Sequence, residues 1–201
     1  TELAVNGAAA HAFASIFYKG LLFMGVGAVL YRTGTSKVTE LGGLAKSMPW
    51  TMALTLVGAA SISALPRFSG FTTKTLIFSA AGNAHMEWVW LALLFASACG
   101  IYHSGIKVIY FTFFGEDRGL TPKEAPFNMK LAMGLTAAVC LGVGILPDQF
   151  YTLLPYEVDY HAYSVSHVIT QLQLAVFVLL AFLLLKNTRF FPAHRPTVSL
   201  D

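Results

Sequence analysis

The sequence predicts an all-α polytopic membrane protein with about five membrane-crossing regions, the second of them a broken helix. Composition is the first reason. Of 201 residues, 56% are hydrophobic and 11% charged, whereas about a quarter of a soluble domain is charged. The mean hydropathy is +0.63. Segmentation is the second reason. The apolar residues gather into runs over 5–31, 48–81, 88–114, 129–146 and 168–185, and roughly 20 apolar residues cross the hydrocarbon core as a helix. The third reason is where the basic residues fall.

The run over 5–31 reads as one helix with Lys19 near its middle. The run over 48–81 is too long for one straight crossing, because it would rise roughly 50 Å at about 1.5 Å per residue. It contains Leu65-Pro66-Arg67-Phe68-Ser69-Gly70. Proline removes a backbone donor and glycine loosens the chain, so a break is expected at Pro66, Arg67 and Gly70. Non-helical backbone at membrane depth survives only when it is buried in protein or lines a wet cavity. Broken helices of this kind form ion sites in transporters. The runs over 88–114, 129–146 and 168–185 each read as one crossing.

There are 13 Lys and Arg residues. Arg32, Lys37 and Lys46 follow the first run; Arg118, Lys123 and Lys130 follow the third; Lys186, Arg189 and Arg195 follow the fifth. The other two connections, 82–87 and 147–167, carry none. With five crossings, all the extramembrane basic residues fall on one side. The positive-inside rule makes that side cytoplasmic and starts the chain outside. This placement says more than the net charge of +3. The outer connection 147–167 holds Tyr151, Tyr156, Tyr160 and Tyr163 with Asp148, Glu157 and Asp159, and reads as an interfacial segment with an aromatic belt. Cys99 and Cys140 read as small buried hydrophobes. No internal repeat, metal-ligand spacing, phosphate loop, dinucleotide fingerprint or nucleophile elbow occurs in the sequence. The chain lacks an initiator Met and ends without an evident terminator, and it reads as a piece of a longer protein.

The remaining cations, Lys19, Arg67, Lys74 and Lys107, lie at membrane depth, and no acid shares those interiors. Intramembrane ionisable groups mark ion or substrate paths. His11, Ser15 and Lys19 recur every four residues, which places them on one stripe as a polar ladder. The alternative is a lysine held by neighbouring carbonyls. Lys74 follows the break and is expected in the first turn of the second half-helix. There the macrodipole and burial both oppose its charge, which suits a lysine that loses and regains a proton. Arg67 stays charged and is expected to donate to carbonyls freed by the break. His103 and Lys107 form an i, i+4 pair, although Lys107 can also snorkel inward. His85, His161, His167 and His194 read as surface residues without a role.

These residues fall in a wider pattern. His11 to Phe23 (HAFASIFYKGLLF), Gly25 to Val29, Leu41 to Pro49, Ala64-Leu65-Pro66 and Gly70-Phe71-Thr72-Thr73-Lys74 resemble the signature segments of the proton-conducting antiporter-like family. That family is shared by complex I, membrane-bound hydrogenases and Mrp-type cation/proton antiporters. Tyr102 to Lys107, Phe113-Phe114-Gly115, Ala125 to Met129, Leu153 to Tyr156, His167 to Leu174 and the ending Ser199-Leu200-Asp201 look most like the D-type subunit of the Mrp antiporters. The resemblance implies the C-terminal part of a longer subunit with an inverted-repeat antiporter-like fold. Residues 1–114 would close the second repeat, and 115–201 would form accessory helices and a tail.

Several further expectations come with the resemblance. Lys19 would be the central channel lysine and Lys74 the broken-helix lysine, facing a cytoplasmic or neighbouring-subunit exit. His11 would belong to the connecting polar axis, with His103 as a further relay. Some relatives carry a histidine where this chain has Ser15, so a water held by Ser15 would bridge the relay. The acidic partners would lie on an earlier repeat. The expected setting is a multi-pass protein of the cell (inner) membrane, in the lipid bilayer with other subunits. Its ions would be protons and a monovalent cation, sodium in the first instance. No cofactor, no metal and no nucleic acid is expected, nor catalysis of a chemical reaction. The alternatives are a proton-pumping subunit of a redox complex and a non-conducting scaffold.

Overall fold

A computed structural model describes residues 1–157, 159–186 and 188. Arg189, His194, Arg195 and the segment 199–201 lie outside the described residues. The elements are α1 (Glu2–Thr33), α2 (Pro49–Ile62), α3 (Ser69–Asn83), α4 (Glu87–Phe114), α5 (Phe127–Ile145), the short α6 (Pro147–Tyr151) and α7 (Val165–Lys186). No strand occurs among the described residues. Helices α1, α4, α5 and α7 are each long and apolar enough to cross a membrane, and α2 is a shorter apolar helix. The broken pair α2–α3 completes the expected set of five crossings.

Local chemistry sets the ends. Thr1 caps α1 by accepting from the Ala4 amide, and Gly34 ends it in the left-handed conformation with φ 77°, which glycine adopts without a Cβ penalty. Proline starts α2, where its missing N–H costs nothing. Pro126 precedes α5 and Pro147 opens α6 immediately after it.

Helix α4 departs from a plain span. Residues Ile101–Lys107 and Tyr110–Phe114 are π-helical. Such wide turns are rare and occur often at functional sites.

Helix α1 is the hub, packed against α2, α3 and α5. Its inner half joins Leu21, Leu22, Ala28 and Val29 to Met48 and Ala59, to Phe113 of α4 and to Met133 and Ala137 of α5. A second core at the other end gathers Ala10, Ala64, Phe71 and Leu76 with Phe150, Tyr151 and Ala162. The 147–164 connection keeps Tyr156 and Tyr163 exposed, as an aromatic belt would, and also packs into the bundle. Tyr151 is buried and its hydroxyl donates to the Thr72 carbonyl at 2.9 Å; Asn6 of α1 donates to the Tyr156 carbonyl at 2.8 Å. The segment folds down as a cap because the Tyr151 and Tyr160 phenols find polar partners on α3 and the Tyr156 backbone finds Asn6 on α1.

The opposite end is tied by Glu124. Its carboxylate accepts from the Trp50 and Thr51 amides at 2.8 and 3.3 Å and from the Thr51 hydroxyl at 2.5 Å. These are first-turn donors of α2 that would otherwise lack partners. Burial opposes the charge of Glu124, but these bonds and the Ala125 amide outweigh it and hold its pKa below the usual carboxylate range. Arg32 donates to the Glu124 carbonyl at 2.9 Å, which joins the end of α1 to the same point. Cys140 is buried as expected, whereas Cys99 is exposed on α4.

Candidate functional site: the helix break and its polar partners

The break runs from Ser63 to Phe68 and contains two non-glycine residues with positive φ, Ala64 at 52° and Arg67 at 74°. Carbonyls at the end of α2 lose their helical partners there, and at membrane depth each needs another. Lys74 Nζ donates to the Ile62 carbonyl at 2.9 Å and to Ser97 Oγ of α4 at 3.1 Å. Gln171 Nε2 of α7 donates to the next carbonyl, Ser63, at 2.9 Å.

Two expectations are corrected by this geometry. Lys74 is the sixth residue of α3 and therefore lies in its second turn, with its ammonium at the C-terminal, negative end of α2. That position favours a cation. Arg67 is exposed, and it is its backbone N–H that donates to the Tyr163 hydroxyl at 3.0 Å. The carbonyl-capping work expected of Arg67 falls to Lys74 and Gln171, because its strained backbone turns the chain away from the α2 carbonyls.

One residue before Lys74, the Thr73 hydroxyl meets His11 Nδ1 at 3.0 Å, and His11 Nε2 meets the Tyr18 hydroxyl at 3.3 Å. Tyr18 is buried with Ala14 and with Cys140 of α5. The polar line on α1 is thus His11–Tyr18. Ser15 Oγ donates to the Ala12 carbonyl of its own helix at 2.8 Å, and Lys19 is exposed on the outer surface of α1. The helical phase explains this: at about 100° per residue, Tyr18 returns to within about 20° of His11, while Lys19 has drifted about 80°.

His103 is exposed and Lys107 half-buried, both within the first π-helical stretch of α4. The structure therefore gathers His11 and Lys74 around the break, which holds Pro66 and Arg67, whereas Gly70, expected in the break, is the second residue of α3 and lets it approach the Ser61 carbonyl. It leaves Lys19, His103 and Lys107 on other faces. Sequence reasoning missed Tyr18, Thr73, Ser97 and Gln171. The Tyr18 signal was its seven-residue spacing from His11; the others are contacts between distant segments.

The whole is a multi-pass α-helical membrane bundle built around a broken span whose freed carbonyls are met by an ammonium and an amide. Residues 1–100 match the family described as NADH:quinone oxidoreductase/Mrp antiporter, TM. The chain belongs to this family.

Hydrogenase-4 component B of Escherichia coli (strain K12) is 34% identical over 157 residues, covering 72% of this chain and 23% of that protein. The putative antiporter subunit mnhD2 of Staphylococcus aureus (strain JH9) is 30% identical over 150 residues, covering 72% and 29%. A chain in the structure of the membrane-bound sulfane sulfur reductase, an archaeal respiratory membrane complex, superposes with a TM-score of 0.72 at 25% identity. That match covers 95% of this chain and 34% of the other. The chain thus spans less than a third of the length of these two curated relatives. One of them is an antiporter subunit and the other a hydrogenase component.

Proposed function

We propose that this chain is the C-terminal part of a proton-translocating subunit of a multi-subunit monovalent cation/proton antiporter, sodium being the first cation to test. It would lie in the cell membrane. In this reading, residues 1–114 close the second repeat and residues 115–201 are accessory. The observation that carries the reading is the placement of Lys74 and His11. Two ionisable side chains at membrane depth are joined through adjacent residues of α3: Lys74 holds Ile62 and Ser97, and Thr73 holds His11. Proton exchange between them would run through side-chain movement or bridging water. Lys19, exposed on α1 at mid-span, would hand protons to this pair from a neighbouring part of the complex, with Ser15 beside it. His103 and Lys107 would face a further partner.

The test is Lys74→Ala in the complete subunit within its complex, measured as cation-driven pH change in inverted membrane vesicles. Proton-coupled transport should fall by about 100-fold or more, on the scale contributed by a positioned proton-transfer group, while the complex still assembles. Transport at the wild-type rate would overturn the reading.

A second reading has support of its own. The hydrogenase-4 relative and the sulfane sulfur reductase neighbour favour a redox-driven pump built on the same path. Proton movement that follows electron-donor oxidation and ignores an imposed sodium gradient would select it.

A further inference from the structure

His167 reads from sequence as a surface residue, yet it belongs to a closed polar cluster. It sits in the first turn of α7, where its Nε2 meets Ser79 Oγ of α3 at 3.2 Å. Its Nδ1 lies 3.2 Å from the Ala162 carbonyl and 3.4 Å from the Tyr160 hydroxyl. Ser79 and Tyr160 are themselves joined at 2.9 Å. A carbonyl can only accept, so the Ala162 contact places the proton of the neutral ring on Nδ1 and leaves Nε2 to accept from Ser79. Protonation of Nε2 makes it a donor. Ser79 must then accept from it and can donate to Tyr160. The Ser79–Tyr160 bond therefore runs from Tyr160 to Ser79 when the ring is neutral and is free to reverse when it is charged.

The cluster opens on a cavity of about 250 Å³ between α3, α4 and α7, lined by His167 and, one turn further along α7, by Gln171. Among the described residues, no acidic or basic side chain other than His167 lines it. Gln171 binds the Ser63 carbonyl, and the neighbouring carbonyl, Ile62, holds Lys74. One end of the cavity is thus a titratable imidazole at the basic-poor end of the bundle. The other end is Gln171, whose amide binds the Ser63 carbonyl next to the one that holds Lys74. Between them the hydroxyls of Thr75 and Ser79 face the same space, and Thr75 also lies against the phenols of Tyr151 and Tyr160. A cavity of this size with polar groups along one wall accommodates several waters.

We propose that His167 is a proton-exchanging residue that connects the outer surface to the helix break through this cavity. The assignment rests on the proton-translocating reading above. A protonated cavity water passes its extra proton to Nε2, leaving neutral water and the imidazolium, and the Nε2 proton then leaves to a water at the outer surface, which becomes hydronium. Ser79 and Tyr160 reorient with each step and act as positioning residues.

The test uses the complete complex in vesicles, with His167→Ala, His167→Gln and Lys74→Ala in parallel and assembly checked for each. Both His167 variants should lose about 100-fold in proton-coupled transport, the scale of a lost proton-transfer group. Glutamine keeps a hydrogen-bonding side chain but carries no proton, so its loss separates proton exchange from packing. Imidazole added at the outer face should restore transport to His167→Ala and leave Lys74→Ala inactive. An assembled His167→Gln complex that transports at the wild-type rate overturns the proposal, as does an inactive His167→Ala complex that imidazole does not restore. If Lys74→Ala also transports normally, the proton-translocating reading itself fails. If only the His167 variants do, the failure is confined to this residue.

Discussion

Two stretches of the bundle interrupt regular α-helix at membrane depth, and they treat charge in opposite ways. Between α2 and α3 the helix stops, carbonyls at the end of α2 are freed, and Lys74 and Gln171 fill the vacant bonds. In α4 the helix widens into π turns without stopping. The chain stays helical through both stretches, with His103 exposed and Lys107 half-buried. The half-buried ammonium of Lys74 is held where backbone acceptors are set free, as broken backbone at membrane depth requires.

The largest effect expected from this contrast is on transport. Lys74→Ala should abolish it, while Lys107→Ala in the same complex should cost at least about tenfold less, because proton-transfer losses scale with the positioning of the group. Equal losses would break the comparison. Stability comes next. A Cβ on Gly70 would collide with the Ser61 carbonyl, whereas one on Gly100, just before the π turns, meets nothing within 4 Å. Gly70→Ala should cost about 3 kcal/mol of overpacking strain, and Gly100→Ala should gain about 0.5–1 kcal/mol of backbone entropy. Thermal unfolding of the detergent-solubilised protein measures both. Gln171→Leu should cost about 1–3 kcal/mol by orphaning the Ser63 carbonyl, a penalty with no counterpart in α4.

The smallest effect is at the far end of α2, away from the break. Glu124→Gln should cost about 1 kcal/mol of capping. Because the folded-state pKa of Glu124 is lowered, its contribution is full above the unfolded carboxylate value and is lost as pH falls through the folded one. Wild type should lose stability across that acidic window more steeply than Glu124→Gln. Parallel pH profiles for the two would remove Glu124 as the cause.

The crossings were legible because bilayer length and basic-residue placement act on whole segments. The break was legible because Pro66 is a local breaker, although Gly70 lies within α3. The partners were not. Nothing near Lys74 in sequence points to Ser97, and nothing near Ser63 points to Gln171, since those pairings depend on how α4 and α7 lean on α3. Glu124 was hidden in the same way, as a cap supplied from a distant connection. The ladder His11–Ser15–Lys19 extends one step too far, because a four-residue repeat drifts around the helix while the seven-residue spacing to Tyr18 nearly closes. The π turns of α4 have no sequence signature that we can identify.

Tyr163 does more than accept from the Arg67 amide. Its hydroxyl also donates to the Gly144 carbonyl near the end of α5, and a Cβ on Gly144 would collide with the Arg67 carbonyl. One phenol thus rivets the unwound chain to the neighbouring span at a point where the two backbones touch. Any pivoting of α3 against α5 must first pull Tyr163 from one of those two groups. The break is thus tied to α5 as well as to its own flanking helices.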